Sequence, residues 1–204
     1  METKTFASFI SVVAALALVP VAQAQHRQPQ GDLSYPSLDA AASAIAHRPV
    51  SVRCPVDRSS WNSDPQSAGV MAYTWLDTDW TRLNPDQCDF LVSFAAGRWP
   101  RYEDSTYATA ILVLTHESFH LRHWYYRGCE ARVEQQALGH WQVVARMLGA
   151  DPVELAALAP WVRYADYQMT RYAGYATTRR ATPSSAHPRR FYSLLLRHRP
   201  GRSS

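Results

Sequence analysis

His116-Glu117-Ser118-Phe119-His120 gathers two imidazoles and a carboxylate within five residues. On a helix, side chains four apart stack on one face, so His116 and His120 can offer two ring nitrogens to a single point. Zinc suits such a point, because it accepts neutral imidazole and takes about four ligands in a tetrahedron. Glu117 lies one position on, about 100° around the axis, beside such an ion rather than aimed at it. A carboxylate there can take a proton from a water on the metal, whose pKa zinc lowers to about 7. Residue types and spacing together point to metal-assisted hydrolysis. Two histidines that merely pack in a core would show the same spacing. The preceding Ala108-Thr109-Ala110-Ile111-Leu112-Val113-Leu114 is apolar nearly all round and predicts a buried helix, the setting such a site needs.

Catalytic zinc takes three protein ligands and keeps a fourth place for water. Downstream of His120 the choices are His123, Cys129, Glu130, Glu134 and His140. His123 is only three residues on and is rotated off the shared face. Gly128 lets the chain turn, after which Glu130 and Glu134 fall four apart on one face of the next helix. One of these carboxylates can bind the ion while the other accepts the free N–H of a ligand histidine. The competing reading of the pair is a solvated acidic face on an amphipathic helix.

His116-Glu117-x-x-His120 followed by Glu130-Ala131-Arg132-Val133-Glu134 resembles the gluzincin branch of the zincin metallopeptidases. It is most similar to small exported proteins that carry His-Glu-x-x-His-x-x-Gly and then Asp-Glu-x-x-x-Glu-Cys. Here the Gly is His123, the Asp is Cys129, and the Cys after the second Glu is Gln135. The resemblance spans roughly Cys54 to Gln136. It implies a Zn2+ cofactor, a peptide or protein substrate, His116 and His120 as ligands, and Glu117 as the base. It implies Glu130 as third ligand with Glu134 supporting it, although the short spacing after His120 leaves the two exchangeable. Such enzymes also need a donor for the developing oxyanion. Tyr164, Tyr167, Tyr172 and His140 are available, and core packing competes for each.

The elements that must position these residues are readable in outline. Val50-Ser51-Val52-Arg53-Cys54 alternates like a strand, and Val70–Trp75 with Trp80–Leu83 reads as a strand pair. Asn84-Pro85-Asp86 opens a helix to about Ala96, stopped by Gly97. Asp104-Ser105-Thr106 caps the long motif helix, which fades near Trp124. Glu130 to Leu148 reads helical with a Gly149 stop, and Asp151-Pro152 starts a last helix reaching Tyr172. Another short helix fits Leu38 to Ala46. The expected architecture is α+β and mainly helical, a minimal zincin-like domain with a small N-terminal strand element.

Residues 1–24 read as a signal peptide: Lys4 in a short n-region, an apolar run from Phe6 to Val21, and Ala22-Gln23-Ala24 for cleavage. The run is shorter than the roughly 20 residues a spanning helix needs, so no transmembrane anchor is expected after cleavage. The mature chain is then exported, secreted or periplasmic. Residues 25–49 form a polar leader, 50–177 the domain, and 178–204 a basic, disordered tail, with one short helix conceivable at Phe191–Leu196. From Gln25 to Thr177 there are 13 Arg against 16 Asp and Glu, whereas the tail holds seven Arg and no acid. That tail fits weak contact with an anionic surface. No nucleic-acid motif accompanies it, and no nucleic-acid partner is expected.

An oxidising compartment permits disulfides among Cys54, Cys88 and Cys129. The expected bridge is Cys54–Cys88, tying the strand element to the helical body and leaving Cys129 free. A Cys88–Cys129 bridge and a Cys129 zinc thiolate are the alternatives. Two further functions compete with the hydrolase: a zinc-bearing module without turnover, and a surface binder working through the arginines.

Overall fold

The computed structural model of the chain describes residues 31–75, 78–99, 104–122, 130–172 and 192–195. Its elements are α1 (Pro36–Ala46), β1 (Ser51–Arg53), α2 (Arg58–Asn62), β2 (Val70–Thr74), β3 (Trp80–Leu83), α3 (Pro85–Ala95), α4 (Asp104–Arg122), α5 (Glu130–Met147), α6 (Pro152–Tyr172) and β4 (Tyr192–Leu195). The architecture is α+β and mainly helical. No helix among the described residues is long and apolar enough to cross a membrane.

Helix boundaries follow local chemistry. The Asn84 side chain accepts the Gln87 amide at 3.0 Å and Pro85 opens α3. Gly97 and Gly149, at φ 67° and 103°, close α3 and α5 in the left-handed region that glycine enters without steric cost. At the start of α6, Asp151 accepts the Glu154 amide while Glu154 accepts the Asp151 amide, both at 2.8 Å. This reciprocal pair satisfies amides that the first turn would leave unbonded. Asp104 is the first residue of α4, within the helix rather than capping it.

α4 is the axis of the molecule. It packs against α1, α3, α5, α6 and β2, and from Ala110 to Leu121 every residue is buried. A helix surrounded on all sides must find partners for its polar groups inside the protein. Thr115 and Ser118 solve this locally by donating to the Ile111 and Leu114 carbonyls at 2.7 and 2.6 Å.

The sheet has the order β1-β3-β2-β4. β1 runs parallel to β3 with Val52 opposite Thr81, and β2 runs antiparallel to β3 with Tyr73 opposite Arg82. β2 and β3 are buried at every position, so both their faces are covered. The main core joins the helices to Val52, Met71, Ala72 and Leu83, and a second cluster holds Trp61, Val70, Tyr73 and Trp80. β1 is an edge strand whose Val52 amide is taken by Asp39 of α1 at 2.6 Å, which blunts that edge against pairing with another chain.

Cys54 and Cys88 are disulfide-bonded, with Cα atoms 5.8 Å apart, so the end of β1 is tied to the first turn of α3. Cys129 lies outside the described residues, as do residues 1–24, expected from the sequence to be a signal peptide, and most of the arginine-rich C-terminal segment.

Three features depart from expectation. α1 is part of the domain rather than of a leader: Leu38, Ala41, Ala42, Ile45 and Ala46 are buried in the main core. The stretch between β1 and β2, where the sequence shows no periodic element, contains α2 and a 3-10 turn at Pro65–Ser67, capped by Asp57 and Asp64. Tyr192–Leu195 is a strand on β2 instead of a short helix, because a free sheet edge offers its amides and carbonyls a partner.

Candidate metal centre

His116 and His120 face one point from successive turns of α4, and Glu130 reaches the same point from the first turn of α5. His120 Nε2 lies 3.0 Å from His116 Nε2, and Glu130 oxygens lie 3.1 Å from His116 Nε2 and 3.5 Å from His120 Nε2. A tetrahedral ion with bonds of roughly 2.0–2.1 Å spaces its donors about 3.3 Å apart. The two imidazole nitrogens and the Glu130 carboxylate, one oxygen toward each ring, are therefore spaced like three ligands of such an ion. The histidines are each 1% exposed.

Glu134 stands one turn along α5 and does something different. Its Oε2 accepts from His116 Nδ1 at 2.8 Å. That bond fixes the ring and leaves Nε2 directed at Glu130 and His120, which is how a carboxylate behind a ligand histidine orients it. The group of side chains able to share one ion is His116, His120 and Glu130, with Glu134 behind it.

The charges are tightly linked. Burial opposes charge on His116, but hydrogen bonds to Glu130 and Glu134 outweigh it and raise the imidazole to about 10. Burial likewise opposes charge on Glu130, and the two histidines reverse it, holding the carboxyl well below its usual range. Without an ion, the two carboxylates thus favour a positive charge on the His116 ring. Glu117 is fully buried, and burial raises its carboxyl above the usual range against the pull of His120, His116 and the Thr74 hydroxyl. A raised carboxyl is what a general base working near neutral pH requires.

Two residues not singled out in the sequence belong to this neighbourhood. Thr74, the last residue of β2, donates its hydroxyl to Thr81 Oγ1 at 3.0 Å and has a lowering influence on the Glu117 carboxyl. Asp166 of α6 is raised to about 6, by burial first and then by the neighbouring Glu134 carboxylate. An acid in the partly apolar Val162–Tyr167 stretch was the only sequence signal for Asp166, and Thr74 had none.

The other candidates lie elsewhere. His140 donates from Nδ1 to the Gln136 carbonyl at 2.8 Å and packs edge-on against Phe119, so it serves α5 and the core. Tyr164 and Tyr167 are about half exposed, at 51% and 52%. His123 and Cys129 fall outside the described residues, and the side chain of Tyr172 is not described.

Compared with protein-family models, with curated proteins and with solved structures, the chain finds no match in any of the three. What the structure defines is a buried His-His-Glu group able to hold a metal ion, flanked by an acid.

Proposed function

We propose that the protein is an exported zinc-dependent metallopeptidase. One observation carries this reading: the Nε2 atoms of His116 and His120 and the carboxylate of Glu130 converge at ligand spacing beside Glu117, which no structural site requires. Two imidazoles and one carboxylate match the donor set of hydrolytic zinc, which leaves a place for water. Zinc bound there supplies Lewis acidity and a more acidic water. The chain's own residues do the rest. His116 is held by Glu134, Glu117 takes the proton, and its raised carboxyl can then deliver that proton to a leaving amine.

The test is Glu117→Gln in the exported form of the chain. Metal content near one zinc per molecule is expected to survive while peptide hydrolysis falls by about 10²-fold or more. Full activity in the variant would remove Glu117 from the mechanism. A second reading, a metal-bearing module without turnover, is favoured by the 0% exposure of Glu117. On that reading the parent cuts no peptide, and stripping the metal unfolds it.

A further inference from the structure

One side of α6 is buried through Leu155, Leu158, Val162 and Ala165. Its opposite side is apolar as well. At about 100° per residue, Val153, Ala156, Pro160, Trp161, Tyr164 and Tyr167 fall within roughly 140° of the helix circumference. All six are exposed, Val153 at 65% and Trp161 at 40%. Between Val153 and Tyr167 no charged side chain interrupts this stripe; Glu154 and Arg163 stand at its two margins. Trp161 and Tyr164 meet edge to face, with ring centroids 6.2 Å apart. Among the described residues eight large hydrophobic side chains are exposed, and α6 holds four of them, so the exposure is a patch rather than a scatter.

A helix that is apolar on both sides ordinarily has both sides covered. Trp and Tyr each join an apolar ring to a polar tip, which suits a boundary between hydrocarbon and water. The stripe alone would equally suit a second copy of the chain. Charge decides between the two. Thr178 to Ser204 holds seven Arg and no acid. β4 packs against α6, and Arg190 and Arg197 each stand two residues in sequence from an end of β4. Two copies joined through α6 would bring these like charges together, whereas an anionic lipid surface would attract them.

We infer that the exposed face of α6 docks on an anionic lipid bilayer, with Trp161, Tyr164 and Tyr167 seated at the headgroup level and the C-terminal arginines drawn to the lipid phosphates. The helix lies along the surface rather than across it, because its other side is held in the protein core. Asp166, the α6 residue beside Glu134, lies off the stripe. Docking of this kind therefore needs neither metal nor turnover, and it stands whether or not the chain cuts peptides.

The test is co-sedimentation of the exported form of the chain with vesicles of phosphatidylcholine containing about 30% phosphatidylglycerol, at about 0.1 M salt. Trp161→Ser/Tyr164→Ser is expected to bind about tenfold or more weakly than the parent, with an unchanged melting temperature because both side chains are exposed. Trp161→Phe is expected to keep most of the binding. It should lose much of the fluorescence quenching that lipids brominated on their acyl chains cause in the parent. Arg189→Gln/Arg190→Gln/Arg197→Gln should weaken binding to the mixed vesicles, and vesicles of phosphatidylcholine alone should hold the parent less. Binding that survives the double serine substitution unchanged overturns the inference and leaves the arginines as the contact. Equal quenching in the parent and Trp161→Phe overturns it too, as does a parent that binds no vesicle. A concentration-dependent dimer that the serine variant abolishes, with vesicles binding neither protein, would make a second copy the occupant instead.

Discussion

His116 is the residue on which charge, geometry and metal binding meet. Its raised value of about 10 exceeds the ordinary imidazole value, so in the metal-free chain its pairing with Glu130 and Glu134 contributes fully below about pH 6.5. That contribution is lost as pH rises through 10. Glu130 is shifted down, so its part is present above the ordinary carboxylate value of about 4.3 and lost as pH falls further. Urea unfolding in a chelator should therefore show stability falling from pH 6 to pH 10, and saturating zinc should flatten the slope, since an ion replaces the proton. A flat profile without zinc would mean that His116 is not charged there. Glu134→Gln tests the supporting role separately. Its expected effect is roughly a 10–100-fold loss of zinc affinity, read by competition with a chromogenic chelator. A loss as complete as that of His120→Ala would make Glu134 a direct ligand.

At the scale of elements, the disulfide gives the plainest prediction. Cys54 and Cys88 are 34 residues apart, and closing a loop of that length restricts the unfolded chain by about 3–4 kcal/mol. Reduction should lower the denaturation midpoint accordingly without removing the ion, because no ligand sits on either side of the bridge. The bridge was legible because only three cysteines had to be paired. α3 and α6 were legible because Asn84-Pro85 and Asp151-Pro152 are strong local start signals, and α4 because an apolar run that long reads as a buried helix. The features that stayed hidden depend on partners distant in sequence. The parallel pairing of β1 with β3 leaves no trace in a three-residue strand. α2 spans five residues, too few for periodicity to register. The apolar run at 191–196 suits a helix as well as a strand, and only the open edge of β2 decides between them.

Across the whole molecule, Arg82 is the ion that holds the N-terminal segment, the loop before β2 and the sheet together. Its guanidinium binds Asp32 through Nε and Nη2 at 2.7 and 2.9 Å and Asp64 through Nη1 at 2.8 Å. Tyr73 donates its hydroxyl to Asp64, and the ring of Trp61 lies 5.7 Å from the guanidinium carbon. Removing one partner of a buried pair strands the others' charge. Arg82→Ala should therefore destabilise the fold by about 3–5 kcal/mol, measurable by urea denaturation. A change below about 1 kcal/mol would show that water reaches the two aspartates. No sequence pattern announces this network, because Asp32 and Arg82 are 50 residues apart and nothing marks an arginine in a strand as buried.

Glu130 reaches the ion's place from α5, a different helix from the one that carries the two histidines. Two of the three donors belong to α4 and the third to α5, so a bound ion would stitch one helix to the other. Its escape would then depend on how firmly the two helices hold together. Substitutions that tighten the packing of α5 on α4 away from the ligands should slow the departure of the ion without touching any atom that holds it.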